Sequence, residues 1–148
     1  MRAVIQRVSS ASVTVDGKEI SAINQGLLIL LGVEKNDKPE DLNYLVKKTI
    51  GLRIFKDDKN KMNLSIQDVL GETLVVSQFT LCADTQKGHR PSYINAAAPE
   101  MAKNMYDQYC KNLRNENIYV KAGRFGAMMD VELINDGPVT IILESRNR

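Results

Sequence analysis

The stretch GLLILLGV, residues 26–33, decides the fold because it is apolar without any alternation. A strand with one face in water alternates apolar and polar residues, whereas a strand covered on both faces is apolar throughout. A turn signal, Asn24-Gln25, stands directly before the run. We therefore expect a short central strand with other parts of the chain packed on both faces of its sheet.

The segments on either side of this strand have clear local patterns. Upstream, apolar and polar residues alternate before and after Asp16-Gly17, a dipeptide typical of a tight hairpin turn. Downstream, Asp37 precedes KPED, which combines an early proline with first-turn acids. This pattern predicts a first helix from about Pro39 to about Ile50, with the Asp37 side chain as its cap.

The second half of the chain contains strands, a long loop and a second helix. After a polar surface turn, KDDKNKMN, the β-branched and aromatic segment TLVVSQFTL from Thr73 predicts a strand. The polar loop CADTQKGHRPSYINAAAP then leads to a helix that begins at Pro99. Its apolar stripe predicts a buried face formed by Ala102, Met105, Tyr106, Tyr109 and Leu113. Three further strands follow, with a turn at Asn135-Asp136-Gly137-Pro138 between the last two.

This element order predicts one α+β domain over residues 1–148. The sheet is expected to be curved, mostly antiparallel and barrel-like, with two main helices packed on it. Hydrophobic residues make up 43% of the chain and charged residues 26%, which is typical of a globular domain. The net charge of +2 predicts only a modest attraction to nucleic acid.

The residue types that commonly carry catalysis are scarce. Cys82, Cys110 and the single histidine, His89, have no metal-binding or disulfide spacing, so the sequence predicts no metal. It has no phosphate-binding or nucleophile-elbow motif, no secretory leader and no apolar run long enough for a membrane span. These features indicate a cytoplasmic protein.

Two segments are candidates for a site. Ser77-Gln78-Phe79-Thr80 places three polar residues at the end of a strand, where binding sites are common, although a half-exposed strand end explains it equally well. At Gly137-Pro138, glycine permits close approach of a ligand and proline lacks the N–H that a sheet ladder needs. An ordinary turn is the competing interpretation of that pair.

Taken together, several segments resemble the D-aminoacyl-tRNA deacylase family along nearly the whole chain. They are MRAVIQRV, GLLILLGV, LRIFKDDKNKMN, SQFTL, ADTQKGHRPSY, GRFGAMM and NDGPVT. SQFTL at residues 77–81 and Gly137-Pro138 are the motifs by which that family is recognised. His89 stands where the family loop often has asparagine, which weakens any role for it as an obligatory base.

The resemblance implies a cofactor-free homodimer that hydrolyses the ester between a D-amino acid and the 3′-terminal adenosine of tRNA. Ser77, Gln78, Phe79 and Thr80 are then the catalytic residues. Each active site is completed by Gly137-Pro138 of the partner subunit, held cis, which excludes L-amino acids but admits glycine. By position in the family pattern, Arg7, Met129 and Ala97 are further substrate-binding candidates.

Two mechanisms remain open for the threonine. Backbone N–H groups near Phe79 and Thr80 suit an oxyanion, and Thr80 is either a nucleophile or a positioning residue. We favour positioning, with the tRNA 2′-hydroxyl assisting the attack of water, because the sequence offers Thr80 no dependable base. The rival functions are a non-catalytic RNA-binding module and a hydrolase of small esters or D-peptides.

Overall fold

The computed structural model describes residues 1–146, so residues 147 and 148 of the predicted domain lie outside the described residues. The strands and helices follow one another in the chain order β1 (Arg2–Val15), β2 (Lys18–Ile23), β3 (Gly26–Gly32), α1 (Pro39–Gly51), β4 (Phe55–Lys56), β5 (Met62–Leu64), β6 (Glu72–Ser77), α2 (Pro99–Asn115), β7 (Tyr119–Ala122) and β8 (Asp130–Glu144). A 3₁₀ helix, Phe79–Cys82, follows β6 directly.

The predicted central strand, β3, lies inside the main sheet. It pairs antiparallel with β1 and parallel with β6, and β6 continues in parallel to β7. The long strand β1 also pairs antiparallel with β2 and β8, and its register with β8 shifts between Gln6 and Ser10. Such irregularities bend a strand, which lets the sheet curve toward a barrel. The predicted α+β class with a curved, mostly antiparallel sheet is confirmed.

Two apolar clusters cover opposite faces of β3. Leu27 and Ile29 belong to the larger cluster, which includes the buried faces of both helices, whereas Leu28 belongs to a second cluster with Val8 and Leu74. This explains why the stretch has no alternation. The predicted stripe of α2 is also confirmed as core: Met105, Tyr106, Tyr109 and Leu113 are buried, and Ala102 is half-buried and packs against them.

Two local predictions were wrong and a third was incomplete. The strand from Thr73 ends at Ser77 and the chain turns into the 3₁₀ helix, because its neighbour β3 ends at Gly32 and offers no further partner. Asn135 to Pro138 does not separate two strands, because β8 is continuous from Asp130 to Glu144. The segment nevertheless bulges away from β1, since Asn135 pairs with Val8 and Thr140 pairs with Gln6, and residues 136–139 have no pairing partner on β1. The predicted surface turn after α1 is present, and it connects the short paired strands β4 and β5, which the sequence did not predict.

The predicted cap of α1 has a different role. Asp37 accepts a hydrogen bond from the Glu34 N–H at 2.6 Å and forms a fully buried ion pair with the Met1 ammonium at 2.5 Å. The Ser145 hydroxyl also accepts from this ammonium, at 2.8 Å. At the start of α1 it is instead Asp41 that accepts from the Lys38 N–H, at 2.9 Å. Asp37, in the segment after β3, is therefore linked to Met1 directly and to Ser145 through the Met1 ammonium.

Among residues 1–146, no helix has the length and apolar character that crossing a membrane requires.

Candidate active site

The 3₁₀ helix after β6 presents backbone donors at the protein surface. The Gln78 N–H donates to the Leu31 carbonyl at 2.8 Å, which is the last bond to β3 before the chain turns. The first N–H groups of any helix lack an acceptor within it. In the described chain, the N–H groups of Phe79 and Thr80 donate to no backbone carbonyl outside their own turn, and both residues are exposed. These donors are available to an external oxygen.

Contacts with β1 and β3 fix the position of this turn. Arg2 donates through Nη1 to the Leu81 carbonyl at 2.9 Å. A Cβ built on Gly32 would lie 3.0 Å from the Leu81 Cβ and 3.1 Å from the Gln78 carbonyl oxygen, so the turn packs closely on the end of β3. Arg2 was not among the predicted site residues, because its partner is 79 positions away in the sequence.

The side chains of Gln78 and Thr80 contact each other. The Gln78 amide Nε2 donates to the Thr80 hydroxyl oxygen at 2.5 Å. An amide group does not accept a proton from a hydroxyl at neutral pH, so this partner does not activate Thr80 as a nucleophile. With its oxygen occupied as an acceptor, the hydroxyl keeps its own hydrogen for donation to a bound water or substrate.

The nearby thiol does not offer an alternative nucleophile. Cys82 is buried and its Sγ donates to the Val33 carbonyl at 3.4 Å. Burial raises the pKa of this thiol above its ordinary value, with the Glu34 carboxylate as a second cause, so the thiol stays protonated. Across residues 1–146, no group of three or more histidine, cysteine or acidic side chains is arranged to hold a metal ion.

Ala97 packs against the larger apolar cluster and Met129 against the second one, which cover opposite faces of the sheet. The Ala97 N–H donates to the Val33 carbonyl at 3.0 Å, just beyond the end of β3. A Cβ built on Gly123 would lie 2.8 Å from the Met129 Sδ, and the Gly123 N–H donates to Val75 in β6 at 2.9 Å. Both candidates therefore lie at the same end of the sheet as SQFT, and both are half-buried.

Gly137-Pro138 forms an exposed, internally braced segment of β8. Its peptide bond is cis. The Val139 N–H donates to the Asn135 Oδ1 at 2.7 Å, which closes the backbone around the pair. Gly137 has φ +143°, and a Cβ there would lie 2.8 Å from the Val139 Cγ2 and 3.0 Å from the Arg7 Nη2. The position thus requires glycine for its backbone angle and for space.

Arg7 is the support beneath this segment rather than an exposed ligand. Its side chain is 3% exposed, donates through Nε to the Asp136 carbonyl at 2.9 Å and through Nη1 to the Ile54 carbonyl at 2.5 Å. The same Nε lies 3.4 Å from the Asp136 carboxylate. Together these contacts fix the chain next to Gly137.

Within one chain, the SQFTL turn and the Gly137-Pro138 segment lie apart from each other. Arg2 contacts the SQFTL turn and Arg7 contacts the Gly137 segment. Along an extended strand at ~3.3 Å per residue, these two positions of β1 are roughly 16 Å apart. Ala97 and Met129 lie near the end of the sheet from which the SQFTL turn leaves, whereas Gly137-Pro138 is exposed elsewhere along β8.

Comparisons with known proteins give a consistent result over the full length. A family model described as "D-Tyr-tRNA(Tyr) deacylase" matches residues 4–144. A relative named "D-aminoacyl-tRNA deacylase" from Desulfatibacillum aliphaticivorans is 56% identical over 146 residues, 99% of this chain and 100% of the relative. Another of that name from Clostridioides difficile (strain 630) is 55% identical over 145 residues, 98% of this chain and 97% of the relative.

Solved structures share the same fold. One named "c-Myc DNA Unwinding Element Binding Protein" has a TM-score of 0.92 and 44% identity, covering 97% of this chain and 98% of that one. Another, named "Structural Analysis of a probable eukaryotic D-amino acid tRNA deacylase", has a TM-score of 0.81 at 17% identity, with 97% and 98% covered. This second likeness bears on the fold alone.

Proposed function

The chain belongs to the D-Tyr-tRNA(Tyr) deacylase family, and from this membership we propose that it hydrolyses the ester bond of D-aminoacyl-tRNA. Such an enzyme removes D-amino acids that were wrongly attached to tRNA, and its place of action is the cytoplasm. The observation that carries the proposal is the 3₁₀ turn, where the exposed N–H groups of Phe79 and Thr80 suit an oxyanion.

In the proposed mechanism, a water molecule attacks the ester carbonyl carbon. The carbonyl oxygen becomes an oxyanion that accepts from Phe79 and Thr80, and each such donor typically contributes about 10²–10³ in rate. The bond to the ribose 3′-oxygen then breaks, that oxygen takes up a proton, and the free D-amino acid leaves with its new carboxylate oxygen from water. The Thr80 hydroxyl and Gln78 position the water, and the 2′-hydroxyl of the terminal adenosine assists its attack.

We assign the rejection of L-amino acids to Gly137-Pro138 of the partner subunit in a homodimer. The separation of the two motifs along β1 and the exposure of the pair support a contribution across subunits. The brace from Arg7 and Asn135 holds its carbonyls in place, which suits a filter that works by steric exclusion. Glycine has no side chain to exclude, so glycyl-tRNA is also a proposed substrate. Ala97 and Met129 line the proposed adenosine site.

A second candidate is a nucleic-acid-binding module without catalysis, which would agree with the DNA-binding name of the solved relative at 44% identity. The release of D-tyrosine from D-Tyr-tRNA, with L-Tyr-tRNA as the matched control and a chelator present, separates the two. We expect rapid release of tyrosine from D-Tyr-tRNA but not from L-Tyr-tRNA, and we expect the chelator to have no effect on the rate. Binding of both substrates without any release would contradict the proposal and favour the binding module.

Gly137→Ala is expected to weaken the stereochemical selection. The new Cβ would lie too close to Val139 and Arg7. The φ angle of +143° at this position also strains any residue other than glycine, at a cost of about 1–3 kcal/mol. If the resulting displacement removes about 1.4 kcal/mol of discrimination, the D-over-L ratio of kcat/KM falls about tenfold. Gly17→Ala is the control, because Gly17 has φ +75° with nothing within 4 Å. An unchanged ratio in Gly137→Ala would place the filter elsewhere.

A further inference from the structure

Two aromatic side chains beside the oxyanion donors are exposed and touch each other. Phe79 is 58% exposed and Tyr93 is 40% exposed, and their rings meet edge to face with centroids 5.1 Å apart. Large aromatic side chains usually bury most of their area, so a pair left this open in one place is available for contact with another molecule. An edge-to-face pair also leaves at least one ring face uncovered.

Backbone contacts hold Tyr93 in a defined position although it belongs to a long loop. The Asp84 and Ser92 backbones exchange two hydrogen bonds at 2.8 and 2.9 Å, directly before Tyr93. After Tyr93, the Ala96 N–H donates a hydrogen bond to the Tyr93 carbonyl at 2.9 Å, and the Lys35 N–H donates to the Asn95 carbonyl at 3.0 Å. The loop therefore presents the Tyr93 ring against Phe79 on a braced frame.

The loop that leads to Tyr93 carries basic side chains that suit a phosphate backbone. Residues 84–92 include Lys87 and Arg90 against one acid, Asp84, and all three are exposed. Proteins that bind single-stranded nucleic acid combine such basic groups with aromatic rings on which bases stack. The pair is also continuous with the reaction site, because the Phe79 N–H is one of the proposed oxyanion donors.

We propose that Phe79 and Tyr93 form a stacking site for a second nucleobase of the single-stranded 3′ end of tRNA, the one that precedes the terminal adenosine. This inference rests on the proposed function, since it needs the ester-bearing ribose at the 3₁₀ turn. The terminal adenine lies toward Ala97 and Met129, and the chain of the tRNA leaves past the aromatic pair. Stacking accepts any base by its ring face, so the site adds affinity for tRNA without selecting its sequence.

The test compares D-Tyr-tRNA with the D-tyrosyl ester of adenosine alone, which lacks this nucleotide together with the rest of the tRNA. Tyr93→Ala should lower kcat/KM on the tRNA by roughly 5- to 100-fold, mostly through KM, as removal of a base-stacking ring does elsewhere. The loss on the adenosine ester should be at least fivefold smaller. Tyr93→Phe should restore the tRNA value, and Tyr119→Ala, at another tyrosine, 54% exposed, should not change it.

Each outcome of this experiment has a distinct meaning. If Tyr93→Ala lowers both substrates equally or neither, the stacking site is overturned while the deacylase activity of the unchanged protein stands. If the unchanged protein hydrolyses neither substrate, the proposed function itself fails. Sedimentation of Tyr93→Ala should give the same mass as the unchanged protein, and a lost dimer would instead assign the aromatic pair to the contact between subunits.

Discussion

Replacing the 2′-hydroxyl of the terminal adenosine by hydrogen is expected to slow deacylation by about 10²–10⁴-fold, the range typical of a lost acid–base partner. The structure gives the reason. Thr80 contacts the Gln78 amide, which cannot take up a proton, and Cys82 is buried with a raised pKa. In the proposed mechanism, the attacking water therefore depends on a group that the substrate carries.

The measurement is single-turnover release of D-tyrosine from tRNA ending in 2′-deoxyadenosine and from normal tRNA. Thr80→Ala on the normal substrate should slow release by no more than about tenfold, because it removes one hydrogen bond worth ~0.5–1.5 kcal/mol. No acyl-enzyme should accumulate. Equal rates for the two substrates, or a covalent adduct on Thr80 detected by mass spectrometry, would establish Thr80 as the nucleophile.

Asp37→Ala is expected to lower the free energy of unfolding by about 3–5 kcal/mol, as loss of one partner from a buried ion pair typically does. The Met1 ammonium and the Asp37 carboxylate are both fully buried, 2.5 Å apart. Removing the carboxylate leaves the ammonium without its nearest counter-charge and the Glu34 N–H without its acceptor. Much of a small domain's total stability would be lost.

Denaturant unfolding followed by circular dichroism measures this change. Asp107→Ala is the matched control, since Asp107 pairs with Lys103 at 2.6 Å on the surface of α2 and is 54% exposed. Surface pairs at this helical spacing contribute only about 0.3–0.5 kcal/mol. If Asp37→Ala does not fold, Asp37→Asn, which keeps the side-chain shape, provides the comparison. A loss below ~1 kcal/mol in both variants would show that the buried pair contributes little.

Local sequence patterns were sufficient for the elements that depend on neighbouring residues. The unbroken apolar run of β3, the proline at the start of α1 and the helical stripe of α2 each depend on residues within a few positions. The motif segments were likewise recognisable as sequence, because each keeps its order and residue types over a short range. The fold class followed from the order of these elements.

Only the tertiary structure decided what those segments do. SQFTL turns away because β3 ends beside it, and NDGP bulges out of β8 because β1 pairs with Asn135 and Thr140 but not with residues 136–139. The Phe79–Tyr93 contact joins residues from different elements, and the Met1–Asp37 pair joins residues 36 positions apart. Periodicity reports only which side of its own strand or helix a residue lies on. Which partner it meets there depends on the packing of distant elements, and that is fixed only when the whole chain has folded.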